Sequence, residues 1–280
     1  MISEIRKTPL RCRDQKNKKM RYLYFILALF LSGSCSKAEE PFEEKEGNSQ
    51  TPAHILNGYK LVWSDEFDGM YVNTAKWNYR AEGTVRNYGT VSRNTISLDG
   101  KGNAIIQVTK DNNGKYYIGQ LGTQGLYETT YGYFECRAEM NKSLGPHVAF
   151  WLQSPTLGKT LNPATDGAEI DIFEYHRKEP GLIHHNIHWD GYGENHKQTG
   201  KKVPNFPIGT GFHTFGLEWT KDEYIFYVNG IETWRTSTAV SQRSQYIILS
   251  TELTGWGGDP ATGSFPDAVK FDYVRVYKPK

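Results

Sequence analysis

Gly167-Ala168-Glu169-Ile170-Asp171-Ile172-Phe173-Glu174-Tyr175 sets three carboxylates among apolar residues, where a plain buried strand would carry none. Side chains of an extended chain alternate faces, so Glu169 and Asp171 share one face and Ile170 and Ile172 take the other. Strict alternation would place Phe173, not Glu174, beside the acids. One extra residue, a bulge near Ile172 or Phe173, returns Glu174 to the side of Glu169 and Asp171. Three acids in a row repel one another. That raises the pKa of at least one and permits a split into a protonated acid and an ionised nucleophile.

Retaining glycoside hydrolysis needs such a split: two carboxyl groups roughly 5 to 5.5 Å apart, one attacking the anomeric carbon and one protonating the leaving oxygen. A surface strand with a solvated acidic face is the competing reading of the same residues. The aromatic and apolar flanks, and aromatic residues suited to sugars elsewhere in the chain, weigh against it.

Glu169-Ile170-Asp171-Ile172-Phe173-Glu174 resembles the bulged E-x-D-x-x-E active-site strand of glycoside hydrolase family 16, in its laminarinase- and licheninase-like form. The resemblance runs from about Gly58 to Tyr277. It includes Leu61-Val62-Trp63-Ser64-Asp65-Glu66-Phe67, Tyr131-Gly132-Tyr133-Phe134-Glu135-Cys136-Arg137, Ala149-Phe150-Trp151-Leu152, Phe212-His213-Thr214-Phe215-Gly216-Leu217-Glu218-Trp219-Thr220 and Phe271-Asp272-Tyr273-Val274-Arg275-Val276-Tyr277. It implies Glu169 as nucleophile, Glu174 as general acid/base and Asp171 as the assisting acid between them, with no cofactor needed for catalysis. It also implies a histidine of the next strand, His188, beside the acid/base. Glu66 and Asp272 lie in blocks that supply a structural calcium site in several relatives. One departure touches the substrate: relatives usually read Trp-Pro-Ala-Phe-Trp where this chain has His147-Val148-Ala149-Phe150-Trp151. An imidazole for a stacking ring leaves mixed-linkage glucan and β-galactan-type chains open beside β-1,3-glucan.

Working outward, short strand-like runs alternate with Gly, Asn and Asp turns over residues 60–63, 104–109, 132–140, 147–152, 169–175, 184–189, 213–220, 223–228, 246–251 and 271–277. Such spacing predicts an all-β fold. The resemblance makes it a concanavalin-like jelly-roll sandwich of two antiparallel sheets with a concave cleft. Asn229-Gly230 predicts a type I′ hairpin turn. Trp151, Trp189 and Trp256 are candidates for stacking on pyranose faces. His147, His188 and Tyr175 are further candidate substrate contacts. Trp63, Trp77, Trp219 and Trp234 read as structural. A metal reading of His184-His185-Asn186-Ile187-His188 finds no carboxylate or cysteine in sequence that completes a convincing ligand set.

Of the 33 basic and 31 acidic side chains, eight basic and two acidic ones lie in residues 1–35; the remaining 25 and 29 leave a net charge of −4. A basic groove for nucleic acid is therefore not expected. Three cysteines cannot build a disulfide framework, and Cys136, in a strand, reads as a buried thiol. Gly-Trp-Gly-Gly at 255–258 lacks the Lys-Ser/Thr of a phosphate loop.

Residues 20–35 combine Arg21, the apolar run Leu23 to Leu31 and Ser32-Gly33-Ser34-Cys35. They read as a lipoprotein signal peptide with Cys35 the lipidated residue, or as an ordinary signal cleaved near Ser34. Residues 1–19 are unlike an export leader, and translation is expected to begin at Met20. Residues 36–55, acidic and polar, read as a flexible linker, and 56–280 as the catalytic domain. The expectation is an exported, monomeric lipoprotein at the outer membrane or cell surface. It would be an endo-acting retaining β-glycan hydrolase on a 1,3- or mixed 1,3/1,4-linked glucan. The same sandwich with an aromatic cleft also serves sugar binders, but a binder has no use for three crowded carboxylates.

Overall fold

The computed structural model describes residues 50–206 and 208–280. The leader, the lipidation residue Cys35, the start at Met20 and residues 36–49 of the 36–55 linker lie outside them. The packed part reaches back into that linker. Ile55, in a short helix Ala53–Gly58, is fully buried against Tyr133, Ile225, Tyr227 and Tyr277. Thr51 donates a 2.7 Å hydrogen bond to the buried carboxylate of Glu135.

Among the described residues the strands form an eleven-stranded and an eight-stranded sheet, the two layers of a jelly-roll sandwich. The larger is centred on Gly132–Glu139, flanked by Phe212–Trp219 and Asp267–Pro279. The smaller runs in the order Lys197–Val203, Ile183–Trp189, Glu169–His176, Gly145–Gln153, Gln245–Gly257, Gln120–Gly122 and Asn78–Tyr79. Pairing is antiparallel except between Gly89–Val91 and Tyr116–Ile118, which run parallel.

Period-two alternation decides what lies between the layers. Phe134, Cys136 and Ala138 of one sheet meet Val148, Phe150, Leu152, Ile170, Ile187, Ile247 and Leu249 of the other in a single apolar core. Burial pushes the Cys136 thiol up, so it is an inert packing group. Trp77 and Trp219 belong to this core, and Trp63 and Trp234 pack against its margin. Asn229 and Gly230 both take positive φ (51° and 73°), as a type I′ turn requires, joining Tyr224–Val228 to Ile231–Thr236.

The strand Lys197–Val203 was not legible as one. Its Lys-Gln-Thr-Gly-Lys-Lys run has no apolar alternation because it is a polar edge strand, protected by lysines from pairing with other chains.

Candidate active site

The strand Glu169–His176 carries one residue too many for either neighbour. Against Gly145–Gln153, Phe150 pairs with Phe173 and Trp151 with Asp171, so Ile172 is skipped. Against Ile183–Trp189, Asp171 pairs with Asn186 and Glu174 with His184, two residues facing one. Ile172 and Phe173 therefore both enter the core, each with no exposed surface. Glu169, Asp171 and Glu174 emerge together on the opposite face and line one cavity of about 360 Å³.

The bulge leaves a carbonyl to be satisfied. The wholly buried His185 supplies Nδ1 at 2.6 Å from the Ile172 carbonyl, and since a carbonyl only accepts, Nδ1 carries the proton. Its Nε2 lies 2.9 Å from Thr233 Oγ1. Burial pushes the His185 pKa down to about 4, so the ring is neutral at physiological pH.

The three acids differ in surroundings. Glu169 accepts a 3.3 Å hydrogen bond from Gln153 Nε2 and another from the Tyr192 hydroxyl, which fixes its orientation. Burial, then the charge of Glu169, pushes Asp171 well above the usual carboxylate range. His188 Nε2 stands 3.4 Å from Asp171. Glu174 is also pushed well up, first by burial and then by Asp171, while the 2.6 Å hydrogen bond from Asn186 Nδ2 opposes the shift. The cavity thus holds two carboxyl groups biased toward the proton-bearing form and a third gripped by two donors, a set able to give a proton and to attack.

His147 lines the cavity with Nε2 3.8 Å from Glu174 Oε1, and Trp256 packs edge-on against it at 5.4 Å. Burial, helped by His176, Arg86 and His184, pushes the His147 pKa down to about 3, so a neutral imidazole faces the acid. Trp151 lines the cavity too. Its Nε1 donates to Ser250 Oγ at 3.1 Å, and the Arg80 guanidinium sits 5.4 Å from its ring centroid.

Two sequence expectations need correction. Tyr175 has no exposed surface and lies in the core, because alternation resumes after the bulge and sends the residue following Glu174 inward. Trp189 packs against the core for the same reason: it follows His188, which faces Asp171. The calcium candidates Glu66 and Asp272 each meet a guanidinium. Glu66 is held by Arg275 at 3.0 and 2.9 Å and Asp272 by Arg137 at 2.5 Å, so a guanidinium already neutralises each acid.

The structure adds cleft residues that sequence reasoning missed. Arg86 pairs with Glu252 at 3.0 Å, and Arg80 reaches Gln153 Oε1 at 3.1 Å. Both arginines and Glu252 line the same cavity. Ser250, Glu252 and Thr254 alternate along a strand whose outward positions were readable by period two, had its length to Gly257 been recognised.

Comparison with known proteins places this geometry. The family model described as glycosyl hydrolases family 16 matches residues 84–275. A beta-glucanase of Rhodothermus marinus is 28% identical, over 93% of this chain and 96% of its own length. The beta-porphyranase B of Zobellia galactanivorans is 26% identical, over 93% of this chain and 98% of its own. The solved structure of SCLam, a non-specific endo-beta-1,3(4)-glucanase, is 30% identical with a TM-score of 0.67, covering 80% of this chain and 92% of that one. From the match over most of its length, this chain belongs to glycosyl hydrolases family 16 and is a glycoside hydrolase.

Proposed function

We propose that this chain is an endo-acting, retaining hydrolase of a β-1,3- or mixed 1,3/1,4-linked glucan, with Glu169 as nucleophile, Glu174 as general acid/base and Asp171 as the assisting acid. The observation that carries the reading is the bulge, which brings three carboxyls of one strand into one cavity with Glu174 biased toward its protonated form. In the first step a Glu169 oxygen bonds to the anomeric carbon, the glycosidic C–O bond breaks and the leaving oxygen takes the Glu174 proton. Glu174, now a carboxylate, then removes a proton from water, whose oxygen replaces Glu169 at the anomeric carbon. Carboxylates and water balance the reaction, so no cofactor enters it. Support for a glucan comes from the glucanase relatives; support for binding roles comes, for Trp151 and His147, from the cavity they share with the acids, for His188 from its approach to Asp171, and for Trp256 from its packing on His147.

A second reading keeps the mechanism and changes the chain to a β-galactan or a poly-N-acetyllactosamine-type glycan. His147 in place of a stacking ring and the cleft arginines Arg80 and Arg86 favour it, as does the likeness to a porphyranase. The test is to incubate the protein with laminarin, mixed-linkage glucan, an agarose-type galactan and a poly-N-acetyllactosamine glycan and to follow product size over time. Mid-length products from a glucan support the first reading. Release from the galactose-containing chains alone selects the second, and no release from any would refute both.

We also propose export as a monomeric lipoprotein anchored at Cys35 to the outer membrane or cell surface, on the strength of the apolar run and the small residues before that cysteine. Incorporation of labelled palmitate that disappears in Cys35→Ser is the expected result, and equal labelling of both forms would refute it.

A further inference from the structure

Beyond the acids, the hairpin that follows the strand Glu169–His176 brings a second set of donors together. His176 ends that strand, Glu179 lies in the turn and His184 is the second residue of the return strand, opposite Glu174. The turn is closed by Glu179 N–H to the His176 carbonyl at 3.3 Å and Leu182 N–H to the Glu179 carbonyl at 3.1 Å. Glu179, five positions before His184, is thus brought beside it by the turn, with a further histidine.

His176 Nε2 and His184 Nε2 lie 3.3 and 3.4 Å from the same oxygen, Glu179 Oε2. All three atoms are within 4.8 Å of one another. Ligands bound tetrahedrally at about 2.0–2.1 Å from one Zn²⁺ stand about 3.3–3.4 Å apart. Both His176 nitrogens and His184 Nε2 are buried without a partner in hydrogen-bond geometry. The rings are 1% and 4% exposed, and an unpaired buried nitrogen is costly. Lys202 Nζ holds the other carboxylate oxygen, Oε1, at 3.5 Å, which leaves Oε2 turned toward the imidazoles.

We propose that His176, Glu179 and His184 bind a divalent transition-metal ion of the Zn²⁺ class through the two Nε2 atoms and Glu179 Oε2. Two imidazoles and one carboxylate suit such an ion, and a fourth position remains for water. The ion would act on the cleft through Trp256. That ring packs edge-on against His176 at 4.6 Å and His184 at 4.7 Å, and on its other contact against His147, the imidazole that faces Glu174. Fixing the two histidines stiffens the wall behind Trp256 without touching the reacting atoms.

The test is calorimetric titration of chelator-treated protein with Zn²⁺, alongside Glu179→Gln and Glu169→Gln. The last variant is needed because Glu169, Asp171 and His188 also converge. Expected are one Zn²⁺ per chain, affinity at least tenfold weaker in Glu179→Gln, and affinity unchanged in Glu169→Gln. Co²⁺ in place of Zn²⁺ should give the visible absorption of a tetrahedral imidazole site in the parent protein and lose it in Glu179→Gln. Glu179 is partly exposed, and an unchanged circular dichroism spectrum separates loss of a ligand from loss of fold. No saturable binding, or binding lost in Glu169→Gln and retained in Glu179→Gln, would overturn the proposal.

Discussion

Asp171 and Glu174 stand on the same face of one strand although three positions separate them, because Ile172 and Phe173 both turn into the core between them. A regular strand would place these two acids on opposite faces. The extra residue is therefore the step at which the sequence becomes a site. Inserting one residue between Phe173 and Glu174 shifts the alternation by one and drives either Glu174 or the pair Glu169 and Asp171 toward the apolar layer. Hydrolysis should fall below detection and the thermal transition should drop, both measurable on the purified variant.

His185 supports the bulge from the core side, through its hydrogen bond to the Ile172 carbonyl. His185→Leu leaves that carbonyl unpaired, at about 1–3 kcal/mol, with a fall in Tm of about 2–4 °C for each kcal/mol. There is also a pH signature. A histidine whose folded pKa is depressed to about 4 stabilises the fold above its unfolded value near 6.5, and that stability is lost as pH falls toward 4. The loss of Tm between these pH values should be smaller in His185→Leu than in the parent.

Glu174 has the opposite sign. Its folded pKa is raised, chiefly by burial, so it favours the fold fully below the unfolded value and loses that contribution as pH rises through the folded one. Glu174→Gln removes the charge while an acceptor for Asn186 remains. The variant should melt higher than the parent at pH 8 and equally at pH 4, while kcat falls by about 10²–10⁴ as expected for loss of a general acid. A basic limb in the parent's pH–activity profile should vanish in the variant.

Gly200 sits in the edge strand opposite Asn186, where an added Cβ would come within 2.1 Å of Asn186 Oδ1 and 2.6 Å of the His185 carbonyl. Gly200→Ala should displace the amide that donates to Glu174. About a tenfold loss of kcat with little change in KM is expected, and steady-state kinetics on the substrate found by the panel checks it.

The acid face and its bulge were legible because charges in an apolar run leave one arrangement that keeps all three out of the core. Tyr175 and Trp189 were misread where the same rule was not carried one residue further: each directly follows a cleft-facing side chain and so turns inward. The tether drawn to residue 55 overlooked the burial of Ile55. Arg80, Gln153, Tyr192 and Glu252 reach the cavity from four separate segments, and no local pattern ties them to Glu169. The partners of Glu66 and Asp272 were hidden for the same reason. Arg275 lies 209 positions from Glu66 and Arg137 lies 135 from Asp272, and only the strand pairing brings them together.

The central claim is that Glu169 forms a covalent bond with the sugar. A 2-deoxy-2-fluoro β-glycoside of the glycan that the protein cleaves slows release of the intermediate, so the adduct can be digested and located by mass spectrometry. The account predicts one sugar per chain, attached within the peptide bearing Glu169, and no adduct in Glu169→Gln. Attachment at Glu174, or turnover that releases the inverted anomer without any adduct, would contradict it.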